Sequence, residues 1–198
     1  AKGLLDAARL LDGRYHLVVT NVPYLARGKQ HDTLKDYCET HYPEAKNDLA
    51  NVFLERCLEL SHDQGAGVVQ IVMPQNWLFL NGYKQQRKEL LSRVTFLLLA
   101  KLGAQAFSTP MWDFNVQLLS IENKNPSIGA AISSLVVEEP RTTEGKSTLL
   151  LSSVVSVVRQ LTQRANPDAR ITLTQLTADV TLQRYATSIE GLTTGDLA

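Results

Sequence analysis

The chain has 198 residues, of which 44% are hydrophobic, and this is enough for one large domain or for one domain with part of a second. Basic and acidic residues both count 20, and the zero net charge excludes a strongly basic protein that attracts nucleic acid through an overall field. The apolar runs are far shorter than the roughly 20 residues of a membrane span, and Cys38 and Cys57 lack a C-x-x-C spacing. The composition therefore predicts a cytoplasmic protein without a membrane span, whose contacts with nucleic acid are local.

Apolar runs and amphipathic stripes alternate through the first part of the chain and predict helices and strands in turn. An amphipathic helix at 4–11 leads to an apolar strand at 15–19, which has no polar alternation and is expected to be buried on both faces. The predicted elements that follow are a helix at 49–61, capped by Asp48, a strand at 68–73, a helix at 83–93 and strands at 96–102 and 116–121. This order predicts an α/β fold with a parallel sheet that binds ligands at the carboxyl ends of its strands. The short link before the last of these strands predicts an antiparallel strand at the sheet edge.

Beyond Pro126 the pattern changes and predicts a smaller α+β extension. The predicted elements there are a strand at 132–137, a helix at 147–163 and an extended segment at 168–177. We therefore divide the chain into a first domain at 1–125 and an extension at 126–198.

Two stretches have partial motifs that we interpret as surface features. Gly145-Lys146-Ser147 has the last residues of a phosphate-binding loop, but Pro140 stands where such a loop needs a glycine, so a surface loop is predicted. His31 and Asp32 are residue types that bind metal, but the other histidines are scattered along the sequence. We interpret the histidines as solvated loop residues and predict no metal site.

The stretch Asn21-Val22-Pro23-Tyr24 follows the first apolar strand and contains the residue types that an aromatic amino group requires. Such an amino group is a poor nucleophile, because its lone pair is delocalised into the ring. If the Asn21 amide oxygen and the Val22 carbonyl each accept one of its hydrogens, the lone pair becomes available for attack. Pro23 keeps Val22 extended, and Tyr24 would stack on the ring. On these four residues alone, a turn that begins at Asn21 is the alternative interpretation.

The tetrapeptide resembles the N-P-P-Y motif of the adenine-N6 DNA methyltransferases that use S-adenosylmethionine. The stretches "TNVPYLARGKQ", "YPEAKNDLANVFLERCLEL", "VMPQNWLFLNGYKQQRKELL" and "LGAQAF" resemble, in this order, the methyltransferases of BREX or Pgl phage-exclusion systems and of type IIG restriction-modification systems. The resemblance covers residues 14–123, and 185–198 resembles the junction into the target-recognition region of these proteins. Val22 departs from the family, which most often has proline there. The glycine-rich S-adenosylmethionine motif of the family has no counterpart in the 20 residues before Asn21.

The resemblance implies the C-terminal portion of a Rossmann-like S-adenosylmethionine-dependent methyltransferase sheet with a smaller α+β extension. It implies that the substrate is double-stranded DNA, that S-adenosylmethionine is the cofactor, and that other restriction or phage-defence subunits are further partners. It places a flipped adenine against Asn21–Tyr24 and leaves the cofactor-binding residues unknown. Further candidates for contact with the substrate are two cations and three aromatic residues, namely Arg27, Lys29, Phe107, Trp112 and Phe114.

We expect the chain to be a fragment of a site-specific adenine DNA methyltransferase that is inactive by itself. One alternative is a non-catalytic domain of a degenerate methyltransferase that only binds DNA or proteins. A second alternative is a protein glutamine N5-methyltransferase, since these enzymes also use an N-P-P-Y motif. The segment at 35–60 and the extension toward a target-recognition region argue against this second alternative.

Overall fold

The computed structural model describes residues 2–108 and 114–173. The helices of these ranges are α1 (Lys2–Asp12), α2 (Asp32–His41), α3 (Leu49–Leu60), α4 (Lys84–Arg93), α5 (Thr143–Ser152) and α6 (Gln160–Ala165). The strands are β1 (Leu17–Asn21), β2 (Val68–Pro74), β3 (Thr95–Gly103), β4 (Val116–Glu122), β5 (Ala131–Val136) and β6 (Ser156–Arg159). Short 3-10 turns lie at Arg27–Lys29, Gln75–Leu78, Asn81–Tyr83 and Pro167–Ala169. Within the described residues, no helix is both long enough and apolar enough to cross a bilayer.

The six strands form one mixed sheet in the order β1-β2-β4-β3-β5-β6, which confirms the α/β class. Parallel pairs join β1 to β2 and β3 to β5, whereas β4 is antiparallel to both of its neighbours and β6 is antiparallel to β5. The predicted antiparallel direction of β4 is confirmed, but its predicted edge position is wrong. β4 pairs with β2 along one edge and with β3 along the other, so neither edge is free, and its side chains Val116, Leu119 and Ile121 are buried.

The main core lies on the face of the sheet that α3 and α4 cover. Leu54 and Leu58 of α3 and Leu90 of α4 are buried there against the apolar side chains of β2 and β3. Trp77 and Phe96 stack in this core with ring centroids 6.2 Å apart. Each large side chain that is fully buried stabilises the fold by roughly 1.5–3 kcal/mol. The loops that follow β1 and β2 are therefore anchored to a well-packed core.

The opposite face of the sheet is only partly covered. Beside β3, Leu149 and Leu150 of α5 pack on a smaller cluster that includes Ala100 and Leu102. Toward β1 the face forms an apolar groove of about 190 Å³ that is lined by Val19, Thr20, Gln70, Ile71, Val72, Leu98, Leu118, Leu119 and Ser120.

The prediction that the first strand is buried on both faces is wrong. Leu17 is 55% exposed and Val19 is 64% exposed, because β1 is the edge strand and no described element packs over that end of the groove. An apolar run shows that a strand suits burial, but it does not show what covers the strand.

Short polar and β-branched stretches are ambiguous in the sequence. His31 lies just before α2, where its Nδ1 accepts from the Thr33 N–H at 3.3 Å and caps the helix, and Asp32 is the first helical residue. The long helix predicted at 147–163 is wrong. β-branched residues at 154–158 favour a strand, and β6 pairs there with β5 and separates α5 from α6.

Further along, the extended segment predicted at 168–177 is wrong where it begins. Asp168 lies in a 3-10 turn with a φ of 55°, and residues 174–177 lie outside the described part of the chain. The capping role of Asp48 is confirmed, since its carboxylate accepts from the Ala50 N–H at 2.9 Å. The helices predicted at 4–11 and 83–93 are confirmed as α1 and α4, and the strands predicted at 68–73 and 96–102 as β2 and β3.

The surface loop predicted around Gly145-Lys146-Ser147 is instead the first turn of α5. The Thr142 side chain caps this helix by accepting from the Gly145 N–H at 3.1 Å. Lys146 is buried and its Nζ donates to the carbonyls of Leu102, Val137 and Glu138. Burial lowers the pKa of this amine. The ammonium therefore joins α5 to the ends of β3 and β5 and is not directed at a phosphate.

Candidate active site at the carboxyl end of the sheet

The tetrapeptide Asn21–Tyr24 lies where β1 ends, at the carboxyl end of the edge strand. Val22 is 4% exposed and belongs to the main core, whereas Asn21 and Pro23 on either side are exposed. The buried Val22 side chain anchors the backbone, so the neighbouring amide is held at the surface in one place. The structure thus brings together the four residues that the sequence singles out.

Tyr24 is half-buried, and its hydroxyl donates to the Asn21 amide oxygen at 3.4 Å. Burial, with a further contribution from the Asp48 carboxylate, raises the pKa of Tyr24 to about 12. The phenol is therefore neutral at physiological pH. A carbonyl oxygen has two lone pairs, so Asn21 can accept a second hydrogen while Tyr24 occupies the first lone pair.

Among the described residues the Val22 carbonyl accepts no hydrogen bond, and the sequence of the neighbouring strand explains this. The His16 carbonyl accepts from the Val68 N–H at 2.8 Å, and the parallel register of β1 and β2 repeats this offset at every second residue. The last pair of this register is Asn21 with Val72, and continuing the same offset past it brings the Val22 carbonyl opposite the nitrogen of Pro74. Proline has no N–H, so β2 offers this carbonyl no hydrogen bond. The second acceptor that an amino group needs is thus available beside the first.

Of the two aromatic candidates that the structure describes, Phe107 and Phe114, it is Phe114 that lies against Tyr24. The two ring centroids are 6.1 Å apart and the rings are tilted by 51°. A base held between two parallel rings needs about 7 Å, which is two contacts of roughly 3.5 Å each. The pair must therefore open and align before a base can enter. Phe107 is 38% exposed, and Trp112 lies outside the described residues.

The two basic candidates differ in their contacts. Arg27 forms an ion pair with Glu39 at 2.5 Å and donates to the Lys35 carbonyl at 3.4 Å. A hydrogen bond from Lys46, together with the charge of Arg27, lowers the pKa of the Glu39 carboxyl. Arg27 is thus engaged in joining its loop to α2, while Lys29 is exposed beside it. Lys29 has the more accessible charge of the two.

A second pocket at the same end of the sheet was not predicted from the sequence. It has a volume of about 180 Å³ and is lined by Pro74, Gln75, Asn76, Phe79, Phe114 and Asn115. Trp77 and Leu78 turn inward from this stretch and are almost fully buried, which leaves Asn76 and Phe79 exposed. Residue type alone does not distinguish which aromatic in "NWLF" is buried. We call this site the loop pocket.

The described residues include no glycine-rich turn that could bind S-adenosylmethionine at the carboxyl end of the sheet. Gly65 and Gly67 lie in the turn before β2, at the opposite end of that strand from Pro74. A Cβ on Gly67 would clash with the His62 backbone, so the chain itself needs the glycine. Residues 2–108 and 114–173 contain no cluster of three or more His, Cys, Asp or Glu side chains that would hold a metal ion.

Comparison with sequences relates the chain to restriction-modification enzymes. Residues 5–107, more than half of the chain, match the family described as Eco57I restriction-modification methylase. The adenine-specific methyltransferase BrxX of Escherichia coli O9:H4 (strain HS) is 35% identical over 103 residues, which are 52% of this chain and 8% of BrxX. The adenine-specific methyltransferase PglX of Lacticaseibacillus casei (strain Zhang) is 33% identical over 106 residues, which are 54% of this chain and 9% of PglX. The chain thus spans less than a tenth of the length of these two relatives.

Solved structures share the fold at low sequence identity. A chain of a type I restriction-modification system superposes with a TM-score of 0.62 at 17% identity, over 83% of this chain and 38% of that chain. A chain of the DrdV–DNA complex gives a TM-score of 0.58 at 16% identity, over 80% of this chain and 18% of that chain. The predicted methyltransferase-like sheet is confirmed by these similarities together with the family match. By sequence and by fold, the chain belongs to the Eco57I restriction-modification methylase family.

Proposed function

We propose that this chain is the base-binding part of a DNA methyltransferase that methylates N6 of a flipped adenine in restriction-modification or phage defence, in the cytoplasm. The observation that supports this most directly is the group formed by the Asn21 amide, the free Val22 carbonyl and the Tyr24 ring in a chain of this family. S-adenosylmethionine is the methyl donor that the family implies. We assign none of the described residues to it, since they offer no glycine-rich turn at this end of the sheet.

The chemistry begins with the amino group of the adenine. Extrusion of the base from the duplex costs a few kcal/mol of unstacking. The Asn21 Oδ1 and the Val22 carbonyl then each accept one amino hydrogen, which shifts the nitrogen toward tetrahedral geometry and frees its lone pair. Tyr24 stacks on one face of the ring. We propose Phe114 for the other face, because of the two described candidates it is the one that lies against Tyr24.

Contacts with the DNA backbone would be few in this part of the protein. The chain has no net charge, and phosphate contacts supply most of the sequence-independent affinity of DNA-binding proteins. Lys29 is the exposed cation beside the site and would contact one phosphate. The Arg27 charge is already balanced by Glu39, so we expect a smaller contribution from it.

The test is the substitution Asn21→Ala in the full-length protein. Loss of one preorganised hydrogen-bond partner of the reacting group is expected to lower kcat by roughly 100- to 1,000-fold. Transfer of a labelled methyl group to plasmid DNA measures the rate. Asn125→Ala, an exposed asparagine in the turn before β5, is the matched control and should leave kcat unchanged.

Three results would contradict the proposal. Methylation by Asn21→Ala at the wild-type rate would exclude Asn21 as the acceptor. A full-length protein that does not bind S-adenosylmethionine would favour the non-catalytic alternative. Methyl transfer to a release factor glutamine, without transfer to plasmid DNA, would favour the protein methyltransferase alternative.

A further inference from the structure

The loop pocket shares one wall with the proposed adenine site. The 75–80 loop follows β2 as Asn21–Tyr24 follows β1, and parallel strands place both carboxyl ends at the same edge of the sheet. Phe114 lines the loop pocket and also contacts Tyr24. Neither Asn21 nor Tyr24 lines the loop pocket. The two sites are therefore adjacent but separate.

The chemistry of the loop pocket suits a flat, uncharged ligand with hydrogen-bonding edges. Phe79 is 47% exposed and Phe114 is 52% exposed, so both offer ring surface for stacking. Asn76 and Asn115 are exposed amides that each supply donors and an acceptor. No charged side chain lines the pocket among the described residues, which argues against a phosphate or another anion. Its volume of about 180 Å³ suits a single ring system, since a cavity of about 150 Å³ holds benzene.

Gln75 supplies an independent indication of a ligand. It lines the loop pocket, is 6% exposed, and its Nε2 donates to Glu138 at 2.5 Å. Its Oε1 is buried and accepts no hydrogen bond from the described residues. A buried acceptor without a donor is destabilising, so such atoms in native proteins call for an explanation. A small rotation of the Gln75 side chain toward the pocket would let an amino or ring N–H group of a base supply the donor.

The loop pocket is held in shape before any ligand arrives. The buried Arg87 side chain donates to the Trp77 carbonyl at 2.6 Å and to the Leu80 carbonyl at 2.8 Å. The Ile171 N–H donates to the carbonyl of Leu78 at 3.0 Å. Preorganisation of this kind reduces the entropy that binding costs.

We infer that the loop pocket binds a second nucleobase of the DNA, an unpaired base next to the flipped adenine. This inference rests on the proposed function, because the adjacent site is assigned there to the adenine. The base stacks on Phe79 and presents its edge to the amides of Asn76 and Asn115. Stacking on an aromatic side chain tolerates any base, so the loop pocket strengthens binding without specifying sequence.

The experiment uses the full-length protein and a single-stranded oligonucleotide with one 2-aminopurine, titrated without S-adenosylmethionine and followed by fluorescence. Phe79→Ala is expected to weaken binding about tenfold or more, and Phe79→Tyr to retain it. Phe53→Ala is the matched control, since Phe53 is 37% exposed on α3, and it should bind as the wild type does. Thermal unfolding checks that the variants fold, and Asn76→Ala serves as the second variant.

The outcomes separate this inference from the proposed function. Wild-type binding by Phe79→Ala and Asn76→Ala overturns the inference, whether or not the protein methylates DNA. Phe79→Ala could also bind DNA as the wild type does but lose as much kcat at saturating DNA as Asn21→Ala. This result overturns the inference too, since the pocket would then belong to the reacting base. Weaker binding by Phe79→Ala, with fluorescence binding retained in Asn21→Ala, supports two separate sites.

Discussion

Tyr24 shows how burial determines the protonation state of a single site residue. Its pKa is raised to about 12 by burial and by Asp48, so the hydroxyl still donates to Asn21 at pH 10. Because the folded value exceeds the unfolded value of about 10, the neutral phenol favours folding, and this contribution is lost only as the pH rises from about 10 through 12.

We therefore predict that methylation by the full-length protein loses no rate through Tyr24 ionisation between about pH 7 and pH 10. The profile of kcat against pH for wild type and Tyr24→Phe checks this. The same profile in both proteins over that range is expected, whatever their absolute rates. A decline near pH 10 in the wild type that is absent from Tyr24→Phe would contradict the prediction.

Pro74 affects the site because proline has no N–H to donate to the Val22 carbonyl. In Pro74→Ala the restored N–H can donate to the Val22 carbonyl and occupy the second acceptor of the amino group. We predict a kcat for DNA methylation lower by about fivefold, as expected for competition from one hydrogen bond of roughly 1 kcal/mol. Pro126→Ala, in the turn after β4, is the control. An unchanged kcat in Pro74→Ala would show that the Val22 carbonyl is not an acceptor in the reaction.

At the scale of residues, the sequence singles out Asn21–Tyr24 as the candidate site but does not show the contacts of these side chains. An aromatic amino group needs an amide oxygen and a carbonyl as acceptors, a proline that keeps the backbone extended and an aromatic ring for stacking. The sequence Asn21–Tyr24 offers these groups in that order. The role of Pro74 depends on the register between β1 and β2, and the contact of Phe114 with Tyr24 depends on how the β3–β4 connection returns. Both involve residues far apart in the chain, for which a single sequence has no signal.

At the scale of elements, Arg87 of α4 joins the 75–80 loop to the chain after α6. It is fully buried, and besides Trp77 and Leu80 it donates to the carbonyls of Asp168 and Ala169 at 2.9 and 3.1 Å. Burial lowers the pKa of Arg87 to about 10, so the guanidinium remains charged at neutral pH. Lys84, one turn earlier in α4, pairs with the Asp168 carboxylate at 2.8 Å and adds a second link.

We predict that Arg87→Met lowers the free energy of unfolding by about 3–5 kcal/mol, because several buried carbonyls lose their donor together. Arg93→Met is the matched control on the same helix. The Arg93 side chain is 50% exposed and pairs with Glu55, so its loss should cost less than about 1 kcal/mol. Urea unfolding of both variants measures the difference. Equal destabilisation by the two substitutions would contradict the assigned role of Arg87.

The elements that the sequence predicted well are those with strong apolar periodicity, and β2 and α3 are examples. The elements that it missed obtain their stability from partners. α2 buries only Cys38 and depends on the cap from His31, and β6 forms because β5 pairs with Val157 and Val158. Local propensity is a weak signal where tertiary pairing decides between helix and strand.

At the scale of the whole molecule, the described chain has an open sheet edge beside an open apolar groove. Unpaired backbone groups on an exposed, apolar edge strand favour association with other strands. We predict that the 198-residue chain self-associates through this region, and that Val19→Lys reduces association. Val19 is 64% exposed, so the change should cost less than about 0.5 kcal/mol of stability.

Sedimentation of the two proteins over a range of concentrations tests this prediction. Ile128→Lys, a substitution of an apolar residue that is 86% exposed in the turn between β4 and β5, controls for the added charge. Self-association that persists unchanged in Val19→Lys would locate the contact elsewhere. Association that is reduced equally by both substitutions would indicate a general effect of charge.

The sequence by itself determined the class of fold, most elements of the first 121 residues with the exception of α2, and the position of Asn21–Tyr24 at the end of β1. Those features depend on periodicity and on local chemistry, which a linear chain displays directly. Only the tertiary structure decided that β4 lies inside the sheet, that β1 is an exposed edge and that the loop pocket adjoins Tyr24 through Phe114. These features depend on contacts between segments that are distant in the sequence. The packing of the whole sheet and the register of its strands determine those contacts.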